Sequence, residues 1–177
     1  MIRINPILGL LVFAAAAVAL ASGAPCHAQA TSIVTVTMTA TVSSAASLAF
    51  GGATAGNVNF SNADPGTVPS IAADQNPYPV TVSARTGSSS TVTLTVQATG
   101  DLQTGGGSTI AISNVTFTSG SAGFTTAGTL SKTSPQTVGS WIGSGTHTGD
   151  LSYYLANSYN YTPGSYSTQL TYTLTAP

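Results

Sequence analysis

Long stretches of this chain alternate apolar and hydroxyl-bearing residues one for one, and a period of two leaves few folds open. Val34, Val36, Met38, Ala40 and Val42 are interleaved with Thr35, Thr37, Thr39 and Thr41. Val92, Leu94, Val96 and Ala98 alternate with Thr93, Thr95 and Gln97, and Val80 and Val82 with Thr81 and Ser83. Near the end, Tyr166, Thr168, Leu170, Tyr172 and Leu174 alternate with Ser167, Gln169, Thr171 and Thr173. Successive strand side chains point to opposite faces, so each stretch predicts one apolar and one hydroxyl-rich face. β-Branched Val, Ile and Thr also suit a pleated surface.

Shorter candidates fill the gaps: Leu48 to Phe50, Val58 to Phe60, Thr109 to Thr118, Val138 to Ile142 and Leu151 to Leu155. Within Thr109 to Thr118 the apolar phase slips by one between Ile112 and Val115, which predicts a bulge or break near Asn114. Turn residues separate the runs: Gly51-Gly52, Asp64-Pro65-Gly66, Asn76-Pro77, Gly105 to Gly107, Gly143 to Gly145 and Pro163-Gly164. The pattern predicts an all-β, Ig-like Greek-key β-sandwich of about eight to nine strands. No repeat of fixed period points to a solenoid.

The N-terminus reads as an address. Arg3 precedes the apolar run Ile7 to Ala21, and small residues follow up to Ala28-Gln29-Ala30. That is the layout of a secretory signal peptide cleaved after Ala30, with an h-region short for a membrane span. Residues 1–30 are therefore expected to be removed and residues 31–177 to form one domain, secreted to the periplasm, the cell surface or the medium. An uncleaved anchor and a lipoprotein at Cys26 are the alternatives; Pro25 argues against the second. Cleavage removes Cys26, the chain's one cysteine. The domain then has no disulfide, although export leads to a compartment that permits one.

Charge narrows the function classes. Only 4% of the residues are charged, against about 25% in ordinary soluble domains. Beyond residue 30 the charged set is Arg85, Lys132, Asp64, Asp74, Asp101 and Asp150, and His147 is the one histidine. Two cations cannot neutralise a phosphate track, so nucleic acid is excluded as a partner. Near-zero net charge also removes the electrostatic self-repulsion that keeps surfaces apart.

The inventory for catalysis is sparse. His147 and Asp150 with a serine offer the parts of a hydrolytic triad, but they share the glycine-rich segment Gly145 to Asp150, read as a solvated turn, and no G-x-S-x-G occurs. The four Asp sit in turn-like contexts. Asp64, Asp74 and Asn76 are too few and wrongly spaced for a calcium loop, and a zinc site lacks ligands. The glycines 105–107 precede a strand and no G-K-[ST] follows, so they form no phosphate cradle. The chain is expected to be no enzyme and to carry no cofactor or metal.

Tyrosines crowd the last quarter of the chain. Tyr153, Tyr154, Tyr159 and Tyr161 are the candidate ligand- or partner-contact aromatics, weighed against a structural use on strands. Asn114-Val115-Thr116 and Asn160-Tyr161-Thr162 fit the glycosylation sequon. T-x-T runs at Thr35 to Thr41, Thr91 to Thr95 and Thr171 to Thr175 also resemble ice-binding surfaces, but with irregular spacing.

Two stretches carry a resemblance to known families. The ending Leu170-Thr171-Tyr172-Thr173-Leu174-Thr175-Ala176-Pro177, after Pro163-Gly164-Ser165-Tyr166, resembles WxL-type domains, which bind bacterial cell walls; Tyr172 stands where that signature has tryptophan. The beginning, an alternating strand followed by Leu48-Ala49-Phe50-Gly51, resembles spore-coat-U-like and related fimbrial subunits, which usually carry cysteines in the domain. Both resemblances imply a non-enzymatic bacterial surface β-sandwich.

The leading expectation is a structural subunit of a pilus, filament or surface layer, assembled by β-strand complementation and adhesive in role. Its partner would be another copy or another surface subunit, without membrane insertion once the signal is gone. Residues 31–42 are the candidate donor strand, followed by a linker at Ser43 to Ser47, and Val34, Val36, Met38, Ala40 and Val42 would fill a groove on the acceptor; an ordinary first strand closing its own sandwich would need the same alternation. The alternative is a wall- or carbohydrate-binding module that uses the tyrosines on a cell-wall glycan.

Overall fold

The strand set follows from the alternation wherever both faces found a use. A computed structural model describes residues 37–52 and 56–177, and divides the chain into units Met1–Thr39 and Ala40–Pro177. The described part of the first unit, residues 37–39, is exposed and outside any strand. The second unit is all-β. It contains β1 (Ala45–Phe50), β2 (Ser70–Ala72), β3 (Tyr78–Arg85), β4 (Thr91–Ala98), β5 (Leu102–Gln103) and β6 (Thr109–Ile110). After a short 3-10 turn (Ile112–Asn114) come β7 (Val115–Thr118), β8 (Ala127–Thr129), β9 (Gln136–Ile142), β10 (Gly145–Ala156) and β11 (Leu170–Thr175).

All pairings are antiparallel. The larger sheet runs β1-β3-β10-β7-β8, with β2 continuing the β3 edge along the second half of β10. The smaller runs β11-β4-β9, and β5 and β6 form a separate pair. Val80 and Val82 of β3, Val92, Leu94 and Val96 of β4, and Leu151 and Tyr153 of β10 all belong to one buried core. Phe50 of the larger sheet meets Tyr172 of the smaller with ring centroids 4.4 Å apart. The arrangement is sandwich-like, with hydroxyl residues outside and aliphatic residues within.

The phase slip in Thr109 to Thr118 is resolved by a break. Ile110 ends β6, the 3-10 turn takes up the odd residue, and Ile112, Val115 and Phe117 all become buried.

Elsewhere the architecture corrects the sequence reading. Eleven strands form among the described residues, because three-residue β2 and β8 and two-residue β5 are too short to show a period. Val58 to Phe60 is no strand: only Asn59 pairs, its N–H donating to Gln75 Oε1 (2.8 Å) while its carbonyl accepts from Asp74 N–H (2.9 Å). The linker expected over Ser43 to Ser47 is cut short by β1, whose small residues pair with β3 from Ala45↔Arg85 to Phe50↔Val80. Conversely, Thr37 to Val42 forms no strand, since alternation prescribes faces but a strand also needs an edge to bond. The terminal strand begins at Leu170, not Tyr166; ahead of it only Ser167 bridges, to Gln103.

The largest correction concerns Gly145 to Asp150, read as a turn. These residues are the first half of β10, in register with β3 from Gly145↔Ala84 to Leu151↔Tyr78. The β9–β10 turn lies earlier, where Gly143 adopts φ +77°. Gly149 serves close packing instead: a Cβ there would lie 2.5 Å from the Phe124 ring and 2.7 Å from Ser121 Cβ.

Candidate functional site

The His147–Asp150 pair is not assembled. Three positions apart on one strand, the two side chains face opposite ways. Asp150 is exposed, whereas His147 turns inward and stacks on Trp141, ring centroids 4.9 Å apart at 17°. Phe124 meets the same indole edge-on, ring centroids 5.1 Å apart at 77°. Trp141 is buried, and its Nε1 has no hydrogen-bond partner. The histidine therefore completes an aromatic stack instead of a solvated turn. A signal was present in the sequence, since His147 shares odd-numbered phase with Leu151, Tyr153 and Leu155.

Three of the four aspartates, and Asn76, are spent on local structure. Asp64 Oδ1 accepts from Gly66 N–H (3.0 Å) and Tyr159 O–H (2.5 Å), and these bonds, the tyrosine's foremost, hold its carboxyl below the usual range. Asp101 is lowered chiefly by Lys132 (2.5 Å) and then by Ile112 N–H. Asp74 accepts from Ser61 Oγ–H. Asn76 acts as a strand surrogate between β2 and β3: its Nδ2 donates to Tyr153 O (2.7 Å) and its Oδ1 accepts from Tyr153 N–H (2.8 Å). Among the described residues, no three His, Cys, Asp or Glu side chains gather as a metal site would require.

The four candidate aromatics do not share a face. Tyr153 is 1% exposed, and its hydroxyl bonds that of Tyr172 across the core; it cannot touch a ligand. Burial drives the Tyr153 phenol well above its ordinary value and the Tyr172 phenol up to about 12. Tyr154, next in sequence, lies on the opposite face of β10 and is half-buried. Tyr159 is exposed, but its hydroxyl is tied to Asp64. Tyr161 donates to Ala156 O (2.9 Å), bracing its own loop, and burial raises its pKa. The threonine rows do reach a common surface: Thr175–Thr93–Ser140 and Thr173–Thr95–Thr137 cross the outer face of the smaller sheet, interrupted by a bulge in β9 opposite Leu94/Thr95.

The segment read as a donor strand is placed in part. Val34 and Val36 lie outside the described residues. Met38 is 92% exposed and Val42 68%, and Ala40 between them is exposed too. Alternating apolar side chains in water, outside any strand, are the anomaly of this surface. No family model, curated protein or solved structure matches the chain.

Proposed function

We propose that this chain is a non-enzymatic structural subunit of a bacterial cell-surface assembly, a pilus, filament or layer, built by β-strand addition after export. The observation that carries this reading is the exposure of Met38, Ala40 and Val42 on an alternating segment whose described residues, 37–42, lie in no strand. Such a segment gains a ladder of backbone bonds and buries its apolar face only on a sheet edge. The near absence of charge fits dense packing of copies. The order β1-β3-β10-β7-β8, in which sequence neighbours are mostly separated, supports a Greek-key path through the sandwich.

Deleting residues 31–42 tests the reading. The truncated protein should retain a cooperative melt near that of the parent, should stop polymerising, and should bind a peptide spanning 31–42. A full-length protein that stays monomeric at high concentration, or a truncation that unfolds, refutes it. Capture of that monomer on peptidoglycan would instead favour the wall-binding alternative.

A further inference from the structure

Among the described residues Tyr159 is the one exposed aromatic, at 74%, and it is not free to swing. Its hydroxyl donates to Asp64 Oδ1 (2.5 Å) and accepts from Gly66 N–H (3.1 Å), and that N–H is shared with the same carboxylate oxygen (3.0 Å). Both partners come from a different loop, 95 and 93 positions earlier in the chain. Gly66 has to be glycine here, because a Cβ would lie 2.7 Å from the Tyr159 hydroxyl oxygen. The two loops are stitched together beside this anchor. Asn157 Nδ2 donates to Ala63 O and to Val68 O (3.0 Å each), and Asn157 N–H donates to Pro69 O (2.8 Å).

A fold gains little from fixing a ring that stays in water, since burial is what an aromatic side chain contributes, and fixing it costs rotamer freedom. Stapling the loops does not account for the anchor, because Asn157 already joins them three times. What a rigid, exposed ring does supply is contact area that needs no further ordering when a partner arrives.

We propose that Tyr159 is a preformed platform on which a neutral sugar ring stacks, with Asp64 receiving the sugar's hydroxyls. The face of the phenol ring is the negative side of its quadrupole and suits the C–H face of a pyranose. Asp64 Oδ2 has no hydrogen-bond donor among the described residues, so it is open to hydroxyl hydrogens, and bonds to charged acceptors are the strong kind. Asn160, the next residue and exposed, adds an amide that both donates and accepts. Size decides against a protein partner. One aromatic side chain offers on the order of 150–250 Å², against about 800 Å² from each side of a stable protein interface. Val68, 37% exposed, is the one other exposed large hydrophobic residue of these two loops. Charge decides against an anionic ligand: Asp64 repels it, while Arg85 and Lys132 are engaged with Ser43 O and Asp101. The inference does not rest on the assembly reading.

Affinity electrophoresis of the exported protein tests it, in native gels cast separately with a mixed-linkage β-glucan, an α-mannan and a galactomannan. At least one should retard the parent with a Kd in the millimolar range, as a single stacked ring implies. Tyr159→Ala should abolish the retardation. Tyr159→Phe, which keeps the ring without its anchor, and Gly66→Ala, which pushes the ring off Asp64, should each weaken it several-fold. By NMR, saturation of the protein's aromatic protons should pass to the sugar C–H protons in the parent and in Tyr159→Phe, and not in Tyr159→Ala. A parent retarded by none of the polymers overturns the inference, as does Tyr159→Ala that binds or transfers saturation like the parent. Should Tyr159→Ala not fold, affinity unchanged in both Tyr159→Phe and Gly66→Ala overturns it instead. Each of these results leaves polymerisation, and hence the subunit reading, to its own test.

Discussion

Gly149→Ala tests whether residues 145–150 are a turn or the buried-facing half of a strand. In a solvated turn with ordinary φ, alanine stabilises by about 0.4–1 kcal/mol because it restricts the unfolded chain. In β10 the new methyl would meet Phe124 Cε2 at 2.5 Å and Cδ2 at 2.7 Å, with Ser121 Cβ also at 2.7 Å. Real Cβ atoms do not approach so closely, so the Phe124 ring must move off a site where it is buried and edge-on to Trp141. Overpacking of this kind costs about 1–3 kcal/mol. Net of the unfolded-state gain, destabilisation should be centred on about 1.3 kcal/mol and reach at most about 2.6 kcal/mol, a fall in Tm on the order of 4 °C for a domain of this size. Gly100→Ala is the control, since nothing lies within 4 Å of its Cβ position. Circular-dichroism melts of both variants, of Phe124→Leu, and of Gly149→Ala combined with Phe124→Leu complete a cycle in which the smaller side chain relieves most of the cost. A Gly149→Ala protein that melts at or above the parent temperature would refute the packing argument and restore the turn.

Tyr172→Ala should destabilise by about 3 kcal/mol, because it removes a ring packed on Phe50 and leaves the buried Tyr153 hydroxyl without its partner; a chemical-denaturation midpoint reads this directly. His147→Ala should cost about 1–2 kcal/mol and change the fluorescence of the single tryptophan, since the imidazole covers its face; an unchanged spectrum would contradict the stack. In alkali, burial keeps the Tyr172 phenol protonated up to about 12 in the fold, above the value of about 10 it has unfolded. The stability it contributes is therefore complete below pH 10 and lost as pH rises through 12. Absorbance of tyrosinate against pH should show a late step coincident with unfolding.

What could be read from the sequence was whatever depends on a residue's own face. β4 was legible because Val92, Leu94, Val96 and Ala98 are all buried and the residues between them are not. The break after Ile112 was legible because two apolar phases cannot share one uninterrupted strand. The parity of Tyr153 and Tyr154 was equally available, since Leu151 and Leu155 flank the buried one in phase; composition, four tyrosines close together, obscured it. Glycine was the ambiguous residue. Gly143 is needed for positive φ and Gly149 for closeness to Phe124, and the sequence writes both with the same letter.

Neighbours were not legible, and the candidate site is a matter of neighbours. Val34 to Val42 and Leu170 to Leu174 carry the same alternation, yet β11 is paired along one edge and residues 37–42 lie in no strand. Nothing local distinguishes them; the difference comes from how β4, β9 and the closing segment 123–129 are laid out. Most proteins protect such an edge with lysine, inward charge or proline. This chain has almost no charge to spend: Lys132 is already paired with Asp101, and Arg85 Nε is bonded to Ser43 O. An edge that is neither covered nor charged either finds a partner strand or invites indiscriminate ones. Leu48 of β1 and Leu170, Tyr172 and Leu174 of β11 are only partly buried at such edges, and Met38 and Val42 of the same chain are exposed outside any strand.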